Sequence, residues 1–332
     1  MSAPFATDLA EYRAAANGHP DAESFSIKVM SAREICELPA PDASDQLLDR
    51  FAIRRQRTVI GADTGAGKST MATHMLAAIC HGREFLAARG VGDCRALVID
   101  AEQGIETIKL RLREAGLQDS ESVDFIRVPD GLALDRDDDQ AAAIEEQIAA
   151  GDYAAVLADP LYKLHRGDSN NERDAVDLMR RFDGWRERYG FALILPVHCR
   201  KPPQGARFTM HEFFGSSGYL RGAEIILGLQ FLRDGYSRLH YFKDRDGGLP
   251  VGKAWGLLFD RESGYRRDPD DEARKQTARQ AIEDLLAQQP DLSTGQLIAA
   301  TGYKERTVQK ALAGINAARE TQLPLDADET TR

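Results

Sequence analysis

From residue 57 onward, short apolar runs alternate with stretches of helical spacing. The runs 58–60, 96–100, 123–128, 154–159 and 191–195 read as strands. Residues 96–100 (Ala-Leu-Val-Ile-Asp) are apolar up to the last position, the pattern of a strand buried on both faces. Residues 68–80, 105–116, 138–150 and 172–188 carry helical periodicity between them. Strands that alternate with helices predict right-handed βαβ units, and so a mostly parallel sheet covered by helices on both faces.

The rhythm changes after His198. Residues 201–218 are rich in Pro, Gly, Ser and Phe and read as a long loop. Three more strand-like runs follow, 225–231, 237–242 and 254–259, with connections at Gly235 and Gly247-Gly248. Consecutive strands with no helix between them predict antiparallel additions to the sheet edge. Residues 261–273 are charged and turn-rich, and a compact helical stretch follows. At the front, Ser31 and Glu34 have the spacing of a capping box opening a short helix, which Pro39 and Pro41 stop. The expected organisation is a flexible N-terminal segment 1–26, an α/β domain 27–266, a linker 267–273, a small all-α module 274–318 and a disordered polar tail 319–332.

A length of 332 residues suits one large α/β domain plus a small appendage. No stretch approaches the roughly 18 apolar residues of a membrane span, and the N-terminus lacks a charged-then-apolar export pattern. A cytoplasmic protein without membrane contact is expected. Cys36, Cys80, Cys94 and Cys199 form no CxxC pair and no zinc-type grouping with histidine, so free thiols are expected. The net charge of −10 does not advertise a nucleic-acid binder, but phosphate contacts depend on local patches.

The turn after 58–60 changes the picture most. It reads Ala62-Asp63-Thr64-Gly65-Ala66-Gly67-Lys68-Ser69-Thr70. A strand, a glycine-rich turn and Lys-Ser opening a helix is the arrangement that cradles nucleotide phosphates. Gly65 and Gly67 let backbone N–H groups face the β-phosphate, and the helix N-terminus adds its positive end. Lys68 would reach the β- and γ-phosphates, and Ser69 would ligate Mg²⁺. The strict pattern starts with Gly where this chain has Ala62, and Gly61 sits one place earlier. ATP and Mg²⁺ are the expected cofactors.

Such a loop needs an acid at the end of a neighbouring strand to hold the metal shell. Asp100 and Asp159 both qualify. Glu102 follows Asp100 and can take a proton from an attacking water. The economical assignment makes Glu102 the general base and Asp159 the metal-shell acid, although each acid also fits a cap or a loop ion pair. His198 ends a strand at the edge where ligands sit, as a γ-phosphate sensor or as a satisfied strand-end histidine. Lys243 and Arg245 flank one residue on an extended segment and so point to the same side. In a ring, that pair would reach a neighbour's γ-phosphate as an arginine finger; otherwise it is an ordinary hairpin end.

In the C-terminal module, Ser293 or Thr294 would cap a helix ending near Thr301-Gly302. A second helix would start around Lys304, with Val308 and Leu312 facing inward. This is a helix-turn-helix pattern with Lys304, Arg306, Thr307 and Lys310 on the outer part of its second helix. Seven acids and seven bases between 271 and 320 leave the module without a strong charge. DNA contact and a protein-docking role are therefore both open.

Taken together, these residues resemble the RecA-like ATPases related to the small hexameric plasmid helicase RepA and, more distantly, to the core of DnaB-type replicative helicases. The resemblance covers 27–265. It rests on 62–69, Ala101-Glu102, Ala158-Asp159-Pro160-Leu161 with the run 165–170, Pro196-Val197-His198, Gly215-Ser216-Ser217 and Lys243-Asp244-Arg245. It implies a RecA-like fold, Lys68 and Ser69 on phosphate and Mg²⁺, Glu102 as catalytic base, Asp159 as Walker B acid and His198 as γ-phosphate sensor. It implies that Arg245, with Lys243, acts in trans on a neighbouring subunit. It also implies a homo-oligomeric ring, expected to be a hexamer, with single-stranded DNA in its channel. Arg200, Lys201 and Arg207 would be the backbone contacts.

The helix-turn-helix appendage and the N-terminal lead-in lie outside what this helicase core requires. Three functions compete. The first is an ATP-driven ring acting on single-stranded DNA as a replicative-type helicase. The second is an ATP-switched initiator or regulator that finds duplex DNA or replication proteins through the C-terminal module. The third, less favoured, is a RecA-type recombinase.

Overall fold

The computed structural model describes residues 29–37, 45–168, 171–200, 208–213, 217–269, 282–283, 285–287, 289–301 and 303–321. The chain divides into two compact units, 1–43 and 44–332. In the first, helix α1 (Ala32–Glu37) opens on the expected capping box. The Ser31 hydroxyl accepts from the Glu34 N–H at 3.2 Å, and the Glu34 carboxylate accepts from the Ser31 N–H at 2.6 Å.

In the second unit, β1 (Gln46–Leu48) and β2 (Ala52–Ile53) form a small hairpin, as do β4 (Glu84–Phe85) and β5 (Ala88–Arg89). The other strands build one nine-stranded sheet. They are β3 (Arg57–Ala62), β6 (Arg95–Asp100), β7 (Val123–Arg127), β8 (Tyr153–Asp159), β9 (Ala192–His198), β10 (Ile225–Arg233), β11 (Tyr236–Asp244), β12 (Ala254–Asp260) and β13 (Gly264–Arg267). Their order is β13-β12-β11-β10-β3-β9-β8-β6-β7. The helices are α2 (Lys68–His81), α3 (Ile105–Glu114), α4 (Asp138–Gly151) and α5 (Glu172–Tyr189), followed by α6 (Thr294–Thr301) and α7 (Glu305–Thr321). The fold is α/β: a mostly parallel sheet with helices on both faces, an antiparallel edge and a C-terminal helical region.

Period-two alternation in the strands feeds two cores. In β3, Ile60 packs on one face with Met71, Met75, Leu76 and Ile79 of α2. Its neighbour Val59 packs on the other face with Ile144 and Ile148 of α4 and Leu178, Phe182 and Trp185 of α5. Each such side chain, fully buried, contributes roughly 1.5–3 kcal/mol.

Three details differ from the expectations. β10 runs parallel to β3, pairing Ile225 with Thr58, and only β11, β12 and β13 are antiparallel. The connection 199–224 is long enough for a crossover, which strand patterning alone does not reveal. β9 continues past 195 to His198 through Pro196; its pairing with β8 ends at Ile194, so the proline falls beyond that ladder. Within the turn-rich stretch 261–273, residues 264–267 pair with β12 as an edge strand.

The C-terminal helices carry their own core of Ile282, Leu286, Leu297, Val308, Ala311 and Ile315, with Leu312 only partly buried. None of the four cysteines is in a disulfide. Among the described residues no helix is long and apolar enough to cross a membrane.

Candidate nucleotide site

β3 delivers the chain to the phosphate-binding turn and α2 carries it away. Gly65 and Gly67 have φ of 76° and 91°, values that favour glycine. At Gly67 space also matters: a Cβ there would lie 2.5 Å from the Tyr265 hydroxyl, which donates to the Gly67 carbonyl at 3.2 Å. Ala62, where the strict motif has Gly, is fully buried in β3, and its carbonyl accepts from the Cys199 N–H at 2.8 Å. The glycine one place earlier is there for packing, since a Cβ on Gly61 would meet the Phe213 ring at 2.2 Å.

Asp100 and Asp159 end adjacent strands in register and are both buried. Their environments differ. Asp100 accepts the backbone N–H groups of Gln103 at 2.8 Å and Glu102 at 3.2 Å, so it holds the turn that leads to α3. Asp159 shares a cavity with the Ser69 hydroxyl, which favours the ionised carboxylate. Burial pushes the Asp159 carboxyl above its ordinary range, against the pull of Ser69, Lys68 and Arg111. A cavity of about 20 Å³ lies here, lined among others by Ser69, Thr73, Asp100, Arg111 and Asp159. That is room for a water-sized guest. A buried hydroxyl and two carboxylates are hard oxygen donors beside a phosphate cradle, the chemistry that Mg²⁺ takes when it shares its shell with phosphates and water. The residues present therefore fit the metal, and Ser69 and Asp159 are the ones that would hold it.

A second group rims the turn. The His198 Nδ1 lies 3.4 Å from the Thr64 hydroxyl. Burial and the nearby Lys68 charge lower the His198 pKa, so the ring is biased towards neutral. Glu102 is exposed and faces the hydroxyl of Tyr162, whose ring centroid is 6.1 Å from that of His198. Lys68, Glu102, Asp159 and His198 thus share one end of the sheet.

Lys243 and Arg245 do not join them. Asp244 pairs with Ile225, and Ile225 with Thr58, at the start of β3 rather than at its end. There the Lys243 ammonium donates to the Ala223 carbonyl at 2.5 Å, and burial lowers its pKa. Arg245 pairs with Glu224 at 3.3 Å and is 56% exposed. Glu224 also accepts from the Arg57 N–H at 2.8 Å and pairs with Arg186 at 3.5 Å. Arg200 is exposed just past β9, its N–H on the Glu212 carbonyl. Lys201, Arg207, Gly215 and Ser216 lie outside the described residues. Lys304, Arg306 and Lys310 are exposed at and near the start of α7.

Sequence reading alone does not find Tyr162, Arg111 or Tyr265. Tyr162 follows Asp159 by three residues, but aromatic residues in loops carry no fixed role. Arg111 reads as an ordinary base in the last turn of a helix.

The AAA domain family matches residues 26–204. No curated protein matches the chain. Among solved structures, one described as an ATPase domain is similar at 16% identity, over 63% of this chain and 82% of that one, with a TM-score of 0.49.

Proposed function

Because the chain belongs to the AAA domain family, we propose that it is an ATP-hydrolysing, ring-forming motor that acts on single-stranded DNA as a replicative-type helicase in the cytoplasm. In this reading the turn 62–70 and Lys68 hold the phosphates, and Ser69 and Asp159 hold Mg²⁺. When bound, Mg²⁺ would supply neutralisation of the phosphate charge. Glu102 takes the proton of the attacking water. His198, neutral and beside Thr64, reports the γ-phosphate to the loop after β9, where Arg200, Lys201 and Arg207 meet the DNA backbone.

The observation that carries the ring is the position of Lys243 and Arg245. Through β10, Lys243 stands level with Val59 and Arg245 level with Arg57, so about 10 to 17 Å of β3 lie between them and the end of the strand at the usual rise per residue. A cation there does not serve the nucleotide of its own chain. Arg245 is nonetheless exposed, and Glu224 fixes its direction, which suits a finger presented to a neighbouring copy. The site is then completed by two subunits.

ATPase assays with and without single-stranded DNA test this on the wild type, Lys68→Ala, Arg245→Ala and a mixture of the two variants. Each variant alone should lose most of its DNA-stimulated activity. The mixture should regain part of it, because a Lys68→Ala subunit can present Arg245 to a neighbour with an intact phosphate turn. An Arg245→Ala protein as fast as wild type removes the trans assignment. A rate indifferent to single-stranded DNA removes the motor.

A further inference from the structure

The ATPase reading makes no use of the C-terminal module, which has a definite geometry. α6 has 8 residues, residues 302–304 join it to α7, and α7 has 17. The start of α6 is fixed reciprocally: the Ser293 N–H donates to Gln296 Oε1 at 2.9 Å, and the Gln296 N–H to Ser293 Oγ at 3.4 Å. At its end the Thr301 hydroxyl donates to the Leu297 carbonyl at 2.5 Å and accepts from the Tyr303 N–H at 3.3 Å, tying the turn. Leu297 packs with Val308, Ala311 and Ile315 of α7 and with Ile282 and Leu286 from the preceding helical residues. A short helix, a three-residue join and a second helix over a shared apolar core is helix-turn-helix architecture.

The core fixes which side of α7 looks outward. At about 100° per residue, Val308, Ala311 and Ile315 share one side. Arg306, Gln309, Lys310 and Ala313 fall opposite, and all four are exposed. Lys304, just before the first turn, is exposed as well. Between 304 and 316 the only acid is Glu305, against Lys304, Arg306 and Lys310, and its carboxylate accepts from the Gln309 amide at 3.0 Å.

This face is cationic, rich in hydrogen-bond donors and small at Ala313. It lacks the aromatic or long aliphatic anchors of a protein interface. An Arg fork suits the O6 and N7 of guanine, a Gln amide suits adenine, and Lys suits phosphate. The acidic remainder of the chain, net −10 overall, opposes indiscriminate binding to duplex.

We propose that the module binds duplex DNA sequence-specifically, with the N-terminal half of α7 in the major groove. Arg306 and Gln309 read base edges, and Lys304 and Lys310 hold phosphates. This inference stands apart from the ATPase reading, since no residue of the nucleotide site takes part.

The test selects from a randomised duplex library with the full chain in the absence of nucleotide, so a failed ATPase reading leaves the result untouched. Affinity for the selected duplex is then measured by fluorescence anisotropy. Wild type should enrich one sequence. Arg306→Ala/Gln309→Ala should bind it about tenfold or more weakly. Arg306→Lys, which keeps the charge and loses the fork, should retain affinity for random duplex and lose discrimination. Circular dichroism confirms that these exposed changes leave the fold intact. A library with no enriched sequence overturns the proposal, as does undiminished affinity in the double variant. A protein ligand that needs Arg306 and Gln309 where no duplex does also overturns it.

Discussion

Tyr162 shows how the site is assembled at the scale of single residues. Its hydroxyl faces the Glu102 carboxylate, and its ring lies beside that of His198. It therefore lies between the proposed base and the proposed sensor, where it would act as a positioning residue. Tyr162→Phe keeps the ring and deletes the donor. Nucleotide affinity should stay within about twofold, while turnover falls roughly tenfold, a part of what a well-placed base contributes. A merely structural role would not split the two in this way, and unchanged turnover would reduce Tyr162 to packing. That the turn 62–70, Asp159, Glu102 and His198 come together at one end of the sheet was legible in the sequence, because each is tied to a strand end or to a fixed local spacing. Tyr162 was not, because its neighbours come from the turn after β6 and from the end of β9, and no periodicity encodes contact across them.

At the scale of elements, the phosphate-binding helix α2 is clamped by an edge strand that the sequence barely announces. β13 has four residues with one large apolar side chain, Tyr265, too few to establish a period. The hairpins β1–β2 and β4–β5 escape for the same reason. Yet Tyr265 reaches the Gly67 carbonyl and packs against His74 of α2, with ring centroids 5.9 Å apart; Phe259 of β12 is 6.1 Å from the same imidazole. Burial, aided by Arg83, lowers the His74 pKa to about 4. The folded protein therefore keeps this ring neutral, while the unfolded chain protonates it near its ordinary value of about 6.5. Stability from this group is full above about pH 6.5 and is lost as pH falls towards 4. At pH 5 the loss should reach about 1–2 kcal/mol. His74→Phe keeps the aromatic packing and cannot titrate. Its melting temperature should fall less than that of wild type between pH 7.5 and pH 5, and equal falls would show that His74 is not a linked group.

At the scale of the whole molecule, the two ends of β3 carry different halves of one proposed site. The outgoing end holds the phosphate turn. The incoming end is bound to Glu224, which gathers the Arg57 backbone, Arg186 and Arg245. Arg57 itself is fully buried, 3.5 Å from Asp183, with its guanidinium also on the Arg221 carbonyl. Removing one member of so buried a charge group is costly, so the base of the sheet is a rigid mount for Arg245. If Arg245 is the trans finger proposed above, hydrolysis depends on a second chain, whereas nucleotide binding needs only one. The two should therefore separate on dilution. ATPase rate per chain should fall steeply below the assembly concentration, while affinity for a fluorescent nucleotide changes little over the same range. In Arg245→Ala the rate should already be low at every concentration and show no such step. A wild-type rate per chain that stays constant down to concentrations where sizing shows only monomer would mean that each chain completes its own site, and the pair at 243 and 245 would then be no more than the ordered end of a hairpin.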